Sequence, residues 1–148
     1  MKLSFGIFII LLSFFTFAHE GGHGEVAEGG KYGGVTSPIV DNAQAGMGSK
    51  AKTLYVAELV RAESGKLSLY IFDDKMKLVN LEVFGPTIEA KLEVKKKGKF
   101  TYFGAFKLTK NGTHFSGQLP KVEYKPFNID LYIMKNTNKL FVGFSNLD

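Results

Sequence analysis

The sequence predicts an all-β protein, either an antiparallel β-sandwich of the immunoglobulin-like kind or a small barrel, with about seven strands. Three observations lead to this class. Apolar and polar residues alternate with period two along most of the chain after residue 53. Turn signals such as Ser64-Gly65 and Asn111-Gly112 separate the alternating segments. No apolar stripe with helical spacing competes with the alternation.

The alternation assigns one inward face to each of the main strands. The residues predicted to face inward are Leu67, Leu69 and Ile71; Ile88, Ala90, Leu92 and Val94; Phe100, Tyr102, Phe106 and Leu108; and Phe127, Ile129, Leu131 and Ile133. Successive members of each set are two residues apart, except across Gly104 in the third set, and this is the spacing of side chains on one face of a strand.

The composition of the chain changes twice along its length and so predicts three parts. Residues 1–18 combine Lys2, an apolar run and small residues at Thr16 and Ala18, which predicts a cleaved secretory signal peptide. Residues 19–52 are predicted to be a flexible tail rich in glycine and histidine, with an edge strand at 35–40 because Pro38 lacks an amide donor. Residues 53–148 are predicted to form the β domain.

The charge of the chain argues against nucleic acid as a partner. Removing Lys2 with the signal peptide leaves 18 basic and 14 acidic residues, a net charge of about +4. Its densest cluster is Lys95, Lys96, Lys97 and Lys99, which we interpret as a solvated hairpin tip that discourages edge aggregation. We expect the exported chain to be periplasmic or secreted, with no stable membrane insertion after cleavage.

The letters His-Glu-Gly-Gly-His at 19–23 match the zinc-protease pattern H-E-x-x-H. That pattern requires a helix, which places both histidines on one face. Gly21 and Gly22 each cost a helix about 1 kcal/mol, and no third histidine follows at the required spacing. A zinc protease is therefore not expected.

A copper site is the metal hypothesis that survives. Cleavage after Ala18 would give His19 a free α-amine beside its imidazole, and these two nitrogens can chelate Cu(II). His23 would supply another nitrogen and Glu20 or Glu25 a carboxylate. The alternative, that these are merely solvated polar residues of a glycine-rich tail, stays open.

Several other residues have no assigned role in the sequence. Glu58 shares a face with apolar neighbours, so its carboxylate must pair, coordinate or lie at a sheet margin, and the margin is favoured. His114 is predicted on a polar strand face. Asp73 and Asp74 are predicted to form a turn rather than a calcium site. Sugar stacking is a further hypothesis for the aromatic residues predicted on outer faces, Tyr32, Tyr70, Phe72 and Tyr132.

Three short segments carry a resemblance to a known family: "KYGGV" at 31–35, "AELV" at 57–60 and "LYIFDD" at 69–74. In this order and spacing they resemble the small periplasmic β-domain at the N-terminus of heavy-metal efflux adaptor proteins of the resistance–nodulation–division type. The resemblance spans most of residues 31–135 and implies a stand-alone version of that domain. Where the family has a histidine before Gly-Gly, this chain has Tyr32, so the resemblance supplies no metal ligand there.

Two functions follow as hypotheses. The first is an exported, non-catalytic protein that handles a transition metal, copper, through its histidine tail. The second is a cell-envelope interaction module that binds a protein or a glycan without a metal. An enzyme is not expected, because the chain has no G-x-S-x-G, no Walker loop and no cysteine.

Overall fold

The computed structural model describes residues 27–148, so the predicted signal peptide and the first residues of the predicted tail lie outside it. The described residues form nine strands. They are β1 (Ala27–Glu28), β2 (Val35–Asp41), β3 (Tyr55–Arg61), β4 (Lys66–Phe72), β5 (Thr87–Lys96), β6 (Lys99–Asn111), β7 (His114–Gln118), β8 (Phe127–Lys135) and β9 (Asn138–Leu147). The only helical elements among these residues are 3₁₀ segments at Asn42–Lys50 and Leu81–Val83. No described helix is long and apolar enough to cross a membrane.

The described strands form one antiparallel sheet that closes into an eight-stranded barrel. The order around the barrel is β2-β3-β4-β7-β6-β5-β8-β9, and β9 returns to β2 through the pairs Val40–Phe141 and Asp41–Leu140. The short β1 pairs with β2 outside this ring. The all-β, antiparallel prediction is confirmed, and the barrel is the architecture adopted. The strand count exceeds the predicted seven because the sheet also includes the short β1 and β2, the latter at the position of the predicted edge strand.

The barrel has a lower end and an upper end. The lower end contains the start of β2, the end of β3 and the turn between β5 and β6. At the upper end β2 ends and β5 begins, and the 3₁₀ segments lie in the connections there. The interior is filled by the alternating apolar residues, among them Leu69, Ile88 and Ile129, all without solvent exposure. Burying such a side chain contributes about 1.5–3 kcal/mol, so this core is the main source of stability.

Residues 35–50, within the part predicted as a tail, form regular secondary structure. Val35–Asp41 is a strand paired to β3 over five residues, and Asn42–Lys50 is a 3₁₀ segment whose N-terminus is capped by the Asp41 carboxylate. Pro38 has a ladder partner in β3 only, since β1 and β9 pair with other residues of β2. Pro38 therefore has no strand partner on its other side, although β2 as a whole pairs with β3 on one side and with β9 on the other and so closes the barrel.

The face of β6 changes partway along the strand, contrary to the predicted alternation. Phe106 and Leu108 face the core as predicted, but Phe100 and Tyr102 point outward. The cause is a β-bulge, because Leu92 pairs with Gly104 while Glu93 pairs with Tyr102, which leaves Phe103 without a partner in β5. One extra residue inverts the period-two pattern for everything beyond it.

Candidate functional site

The predicted copper ligands His19, Glu20 and His23, with Glu25, all lie outside the described residues. Within residues 27–148, no group of three or more histidine, cysteine, aspartate or glutamate side chains could hold a metal ion. The folded barrel thus provides other features for a candidate site, and these concentrate where the N-terminal segment meets β3 and β4.

Glu58 is the centre of this region. Its side chain is fully buried on the outer face of β3, covered by the turn at residues 30–34. Its Oε1 atom accepts hydrogen bonds from the backbone N–H groups of Tyr32, at 2.7 Å, and Gly34, at 2.9 Å. The expected location at a sheet margin is wrong, because the carboxylate pairs with main-chain donors instead. Bonds of this kind to a charged acceptor contribute about 1.5–3 kcal/mol each.

The turn over Glu58 depends on glycine at two close contacts. A Cβ atom on Gly30 would lie 2.3 Å from the Cδ atom of Glu58, and one on Gly34 would lie 2.4 Å from the backbone oxygen of Leu59. Gly33 adopts a left-handed φ of +78°, which glycine accepts without strain. By composition alone these glycines indicate flexibility.

The side chain of Tyr32 also attaches this turn to the barrel. Its ring stacks on that of Tyr70, with centroids 4.1 Å apart, and on that of Phe72 at 6.2 Å. Phe72 is fully buried although it lies on the outer face of β4, while Tyr32 itself stays 42% exposed. Tyr32 therefore covers an apolar patch of the barrel and presents its own ring to solvent.

His114 extends this aromatic surface onto β7. Its ring lies 5.0 Å from that of Tyr70, tilted by 31°. We call the three rings of Tyr32, Tyr70 and His114 the outer aromatic surface. The fourth aromatic residue considered for sugar stacking, Tyr132, lies elsewhere, on β8, where Lys91 and Lys139 hold cation–π contacts with its ring at 5.0 and 4.5 Å.

One atom of Glu58 remains without a hydrogen-bond partner. Its buried Oε2 atom accepts nothing from the described residues. An unsatisfied buried acceptor costs about 1–3 kcal/mol, so a hydrogen-bond donor that reached the Oε2 atom of Glu58 would be stabilised there. A carboxylate oxygen in such a place can take a water molecule or a polar hydrogen from the chain.

Asp73 has a structural role that the turn prediction anticipated. Its Oδ1 atom accepts hydrogen bonds from the backbone N–H groups of Lys75 and Lys77, both at 2.9 Å. Met76 in the middle of this turn has a positive φ of 57°. Asp74 is exposed beside it, so the two carboxylates are used separately.

The turn at residues 30–34 also forms part of the wall of a pocket of about 460 Å³ at the lower end of the barrel. The floor of this pocket is apolar, made of Leu59, Leu67 and Ile129, and its rim includes Arg61. The Arg61 guanidinium donates a hydrogen bond to the backbone oxygen of Asp148 and lies over the ring of Phe127 at 5.4 Å. Arg61 cannot be identified from the sequence, because a charged residue at a strand end is ordinary in itself.

The segments that carry the family resemblance meet at this region. Tyr32 and Gly34 contact Glu58 of the second segment, and Tyr32 stacks on Tyr70 and Phe72 of the third. Comparison of the chain with protein-family models, with curated proteins and with solved structures finds no match. The functional conclusions therefore rest on the residues of this chain.

Proposed function

We propose that the protein is an exported, non-catalytic binding domain that captures a copper ion with the residues preceding its barrel. The ligands are the α-amine and imidazole of His19, the imidazole of His23 and the carboxylate of Glu20. Amine and imidazole nitrogens suit Cu(II), and the amine becomes a ligand only after residues 1–18 are removed. The barrel acts as the carrier, in the periplasm or outside the cell.

The attachment of the N-terminal segment to the barrel is the observation that supports this proposal. Tyr32 and Gly34 are held by the buried Glu58, and β1 pairs with β2 from Ala27 onward. His23 precedes Ala27 by four residues, which span at most about 14 Å of extended chain. An ion held by His23 would thus be bound close to the barrel surface rather than at the end of a long tether.

Copper titration of the exported protein tests the proposal. We expect one Cu(II) per chain, with a nitrogen-rich electron paramagnetic resonance spectrum. Adding one alanine before His19 should abolish the amine–imidazole chelate without changing the fold, and His23→Ala should weaken binding by less. Unchanged affinity and spectrum in the alanine-extended protein would refute the site.

A second measurement checks the attachment. Paramagnetic Cu(II) should broaden the amide resonances of residues 27–36 and leave those of the β5–β6 turn sharp. Broadening spread over all exposed histidine and carboxylate positions would indicate unspecific binding. The matched sample with diamagnetic Zn(II) separates broadening caused by the electron spin from broadening caused by exchange.

The outer aromatic surface supports the second candidate, a cell-envelope interaction module that binds a glycan. The exposed ring of Tyr32, which stacks on Tyr70 with His114 on the far side of Tyr70, offers a face on which a sugar ring can stack. Pull-down on envelope polysaccharide tests this function. Tyr32→Ala should lose retention while Lys50→Ala, at an exposed position near the upper end, should keep it. Equal retention of both variants would exclude the aromatic surface as the glycan site.

A further inference from the structure

The turn between β5 and β6 carries the densest positive charge of the chain. Lys95, Lys96, Lys97 and Lys99 are all exposed, and Lys97 and Gly98 form the turn with positive φ values of 50° and 82°. Lys125 lies close by, since the Lys95 N–H donates to the backbone oxygen of Pro126 at 3.2 Å. No acidic residue occurs within residues 94–107 or 124–127, although Glu93 and Glu123 flank them. We call residues 95–103 with Tyr124 the basic tip.

Exposed aromatic side chains are interleaved with these lysines. Tyr102 is 65% exposed, Tyr124 44% and Phe103 39%. The ammonium group of Lys96 lies 4.4 Å from the ring centroid of Tyr124 and 5.7 Å from that of Phe103, and that of Lys95 lies 5.6 Å from the ring of Phe100. Charge and aromatic surface are therefore one patch, present on both faces of the hairpin.

The aromatic exposure is a consequence of the β-bulge at Phe103. Without the extra residue, Phe100 and Tyr102 would continue the inward face of Phe106 and Leu108. The bulge turns them outward, onto the face that carries Lys95. Bulges commonly redirect side chains in this way next to functional sites.

Protection of a strand edge explains only half of this arrangement. Exposed lysines do discourage pairing between sheet edges, and β6 pairs with β7 only at Thr109–Asn111. Exposed Tyr102 and Phe103 would work against that protection, because apolar side chains promote association. A surface with both lysines and aromatic rings needs a partner that offers negative charge and an apolar layer together.

We infer that the basic tip is a binding surface for the anionic headgroups of a lipid bilayer. Lysines near such a surface gain attraction from anionic lipids, and tyrosine rings favour the boundary between headgroups and acyl chains. Tyr102 and Phe103 line neither the pocket beside Arg61 described above nor a second pocket at the lower end, which lies between residues 61–65 and 118–127. A planar bilayer therefore fits better than a nucleic-acid strand, which is usually held in a groove. The inference is independent of the copper proposal.

Sedimentation with lipid vesicles tests the charge component. We expect the protein to bind vesicles that contain phosphatidylglycerol and to dissociate from them at high salt. It should not bind vesicles of pure phosphatidylcholine. Each lysine near the bilayer contributes roughly fivefold, so replacing Lys95, Lys96, Lys97 and Lys99 by glutamine should lower vesicle affinity by up to about several hundredfold. The matched control replaces Lys50, Lys52, Lys75 and Lys77, which are exposed near the upper end, and should change affinity by less than about threefold. All variants share the same N-terminus, so the comparison isolates the tip.

A tryptophan reporter tests the aromatic component. The chain contains no tryptophan, so Tyr102→Trp creates a single fluorophore at the tip and Met47→Trp a control at an exposed position near the upper end. On anionic vesicles, emission from position 102 should shift to the blue and be quenched by lipids with brominated acyl chains. Position 47 should show neither effect.

Three outcomes would overturn the inference. The first is equal loss of vesicle binding in the tip and control lysine variants, which would assign the effect to net charge. The second is vesicle binding without quenching at position 102. The third is tighter binding to a single-stranded oligonucleotide than to vesicles, which would assign the tip to nucleic acid. Circular dichroism of each variant establishes that the barrel is folded before these comparisons are made.

Discussion

The carboxylate of Glu58 holds the main chain of Tyr32, whose N–H donates to Oε1 at 2.7 Å, while the ring of Tyr32 shields Phe72 behind it. Tyr32 thus connects a buried carboxyl group on β3 with an apolar patch on β4. The N-terminal segment is attached to the barrel by both contacts at once.

Replacing Glu58 should destabilise the protein well beyond an ordinary surface change. Glu58→Ala removes two hydrogen bonds to the carboxylate and leaves the buried N–H of Gly34 and the partly buried N–H of Tyr32 unpaired, so we expect a loss of about 2–4 kcal/mol in the free energy of unfolding. Urea denaturation measures it. Glu89→Ala, at an exposed outer position of β5, is the control and should stay within about 0.5 kcal/mol of the parent. Equal stability of the two variants would contradict the role given to Glu58.

Gly34→Ala should also destabilise the protein, because the new Cβ atom would meet the backbone oxygen of Leu59 at 2.4 Å. Neither backbone can move cheaply, and we expect a cost of about 1–3 kcal/mol. Gly46→Ala is the control, since nothing lies within 4 Å of its Cβ position and its φ is not positive. Thermal unfolding of the pair decides the matter, and a Gly34→Ala protein as stable as Gly46→Ala would mean that the turn is not packed as described.

Tyr32 should stabilise the fold through its ring alone. Tyr32→Phe keeps the stack on Tyr70 and Phe72 and should alter the free energy of unfolding by less than about 0.5 kcal/mol. Tyr32→Ala loses the stack and exposes Phe72, at a cost of about 1–3 kcal/mol. Comparison of the two by urea denaturation separates ring from hydroxyl. A large loss in the phenylalanine variant would show that the hydroxyl group matters instead.

Copper affinity should fall as pH falls. The ligands bind only when unprotonated, and an α-amine has a pKa of about 7.7–8.0 and an imidazole one of about 6.5. Affinity should be constant above roughly pH 8, fall about tenfold per pH unit below it, and fall more steeply below about pH 6.5. Titrations in a buffer that does not bind copper measure this profile. A flat profile from pH 8 to 6 would remove the amine from the ligand set.

The exported protein should begin at His19. The apolar run from Phe5 to Phe17, followed by Ala18, predicts that residues 1–18 are removed. Intact mass measurement and N-terminal sequencing of protein recovered from the envelope or the medium test this cleavage. Retention of Met1 would leave His19 without a free amine and end the copper proposal.

The sequence predicted the barrel strands where alternation is unbroken, as at Ile88–Val94 and Phe127–Ile133, because one buried face imposes period two. It failed at Phe100 and Tyr102, since a bulge leaves no mark in composition. The sequence analysis also did not predict that β2 pairs with β9, because that pairing depends on residues far along the chain.

The outer aromatic surface was predictable only as separate residues. Tyr32, Tyr70 and His114 each stood out in the sequence, but nothing in it indicated that the ring of Tyr70 would contact both of the others. The contacts of Tyr32 with Glu58 and Phe72 were not predicted either. Contacts across 26 or more residues depend on the sheet order, and one sequence does not fix that order. The close packing at Gly30 and Gly34 was not predicted, because close packing and flexibility favour the same residue type.

Barrel closure has a consequence for how the chain folds as it is made. Val40 meets Phe141 and Leu69 meets Phe115, so both edges of the unit formed by β2, β3 and β4 await strands that appear much later. Synthesis proceeds from the N-terminus, so for a time the β4 edge of this early unit would be open and the β2 edge would be covered by β1 only at Val35 and Thr36. Open edges invite pairing between chains, and Pro38, lacking an amide hydrogen, weakens one of them at its middle. We therefore expect nascent chains to depend on an unfolded-chain binder until β9 is available.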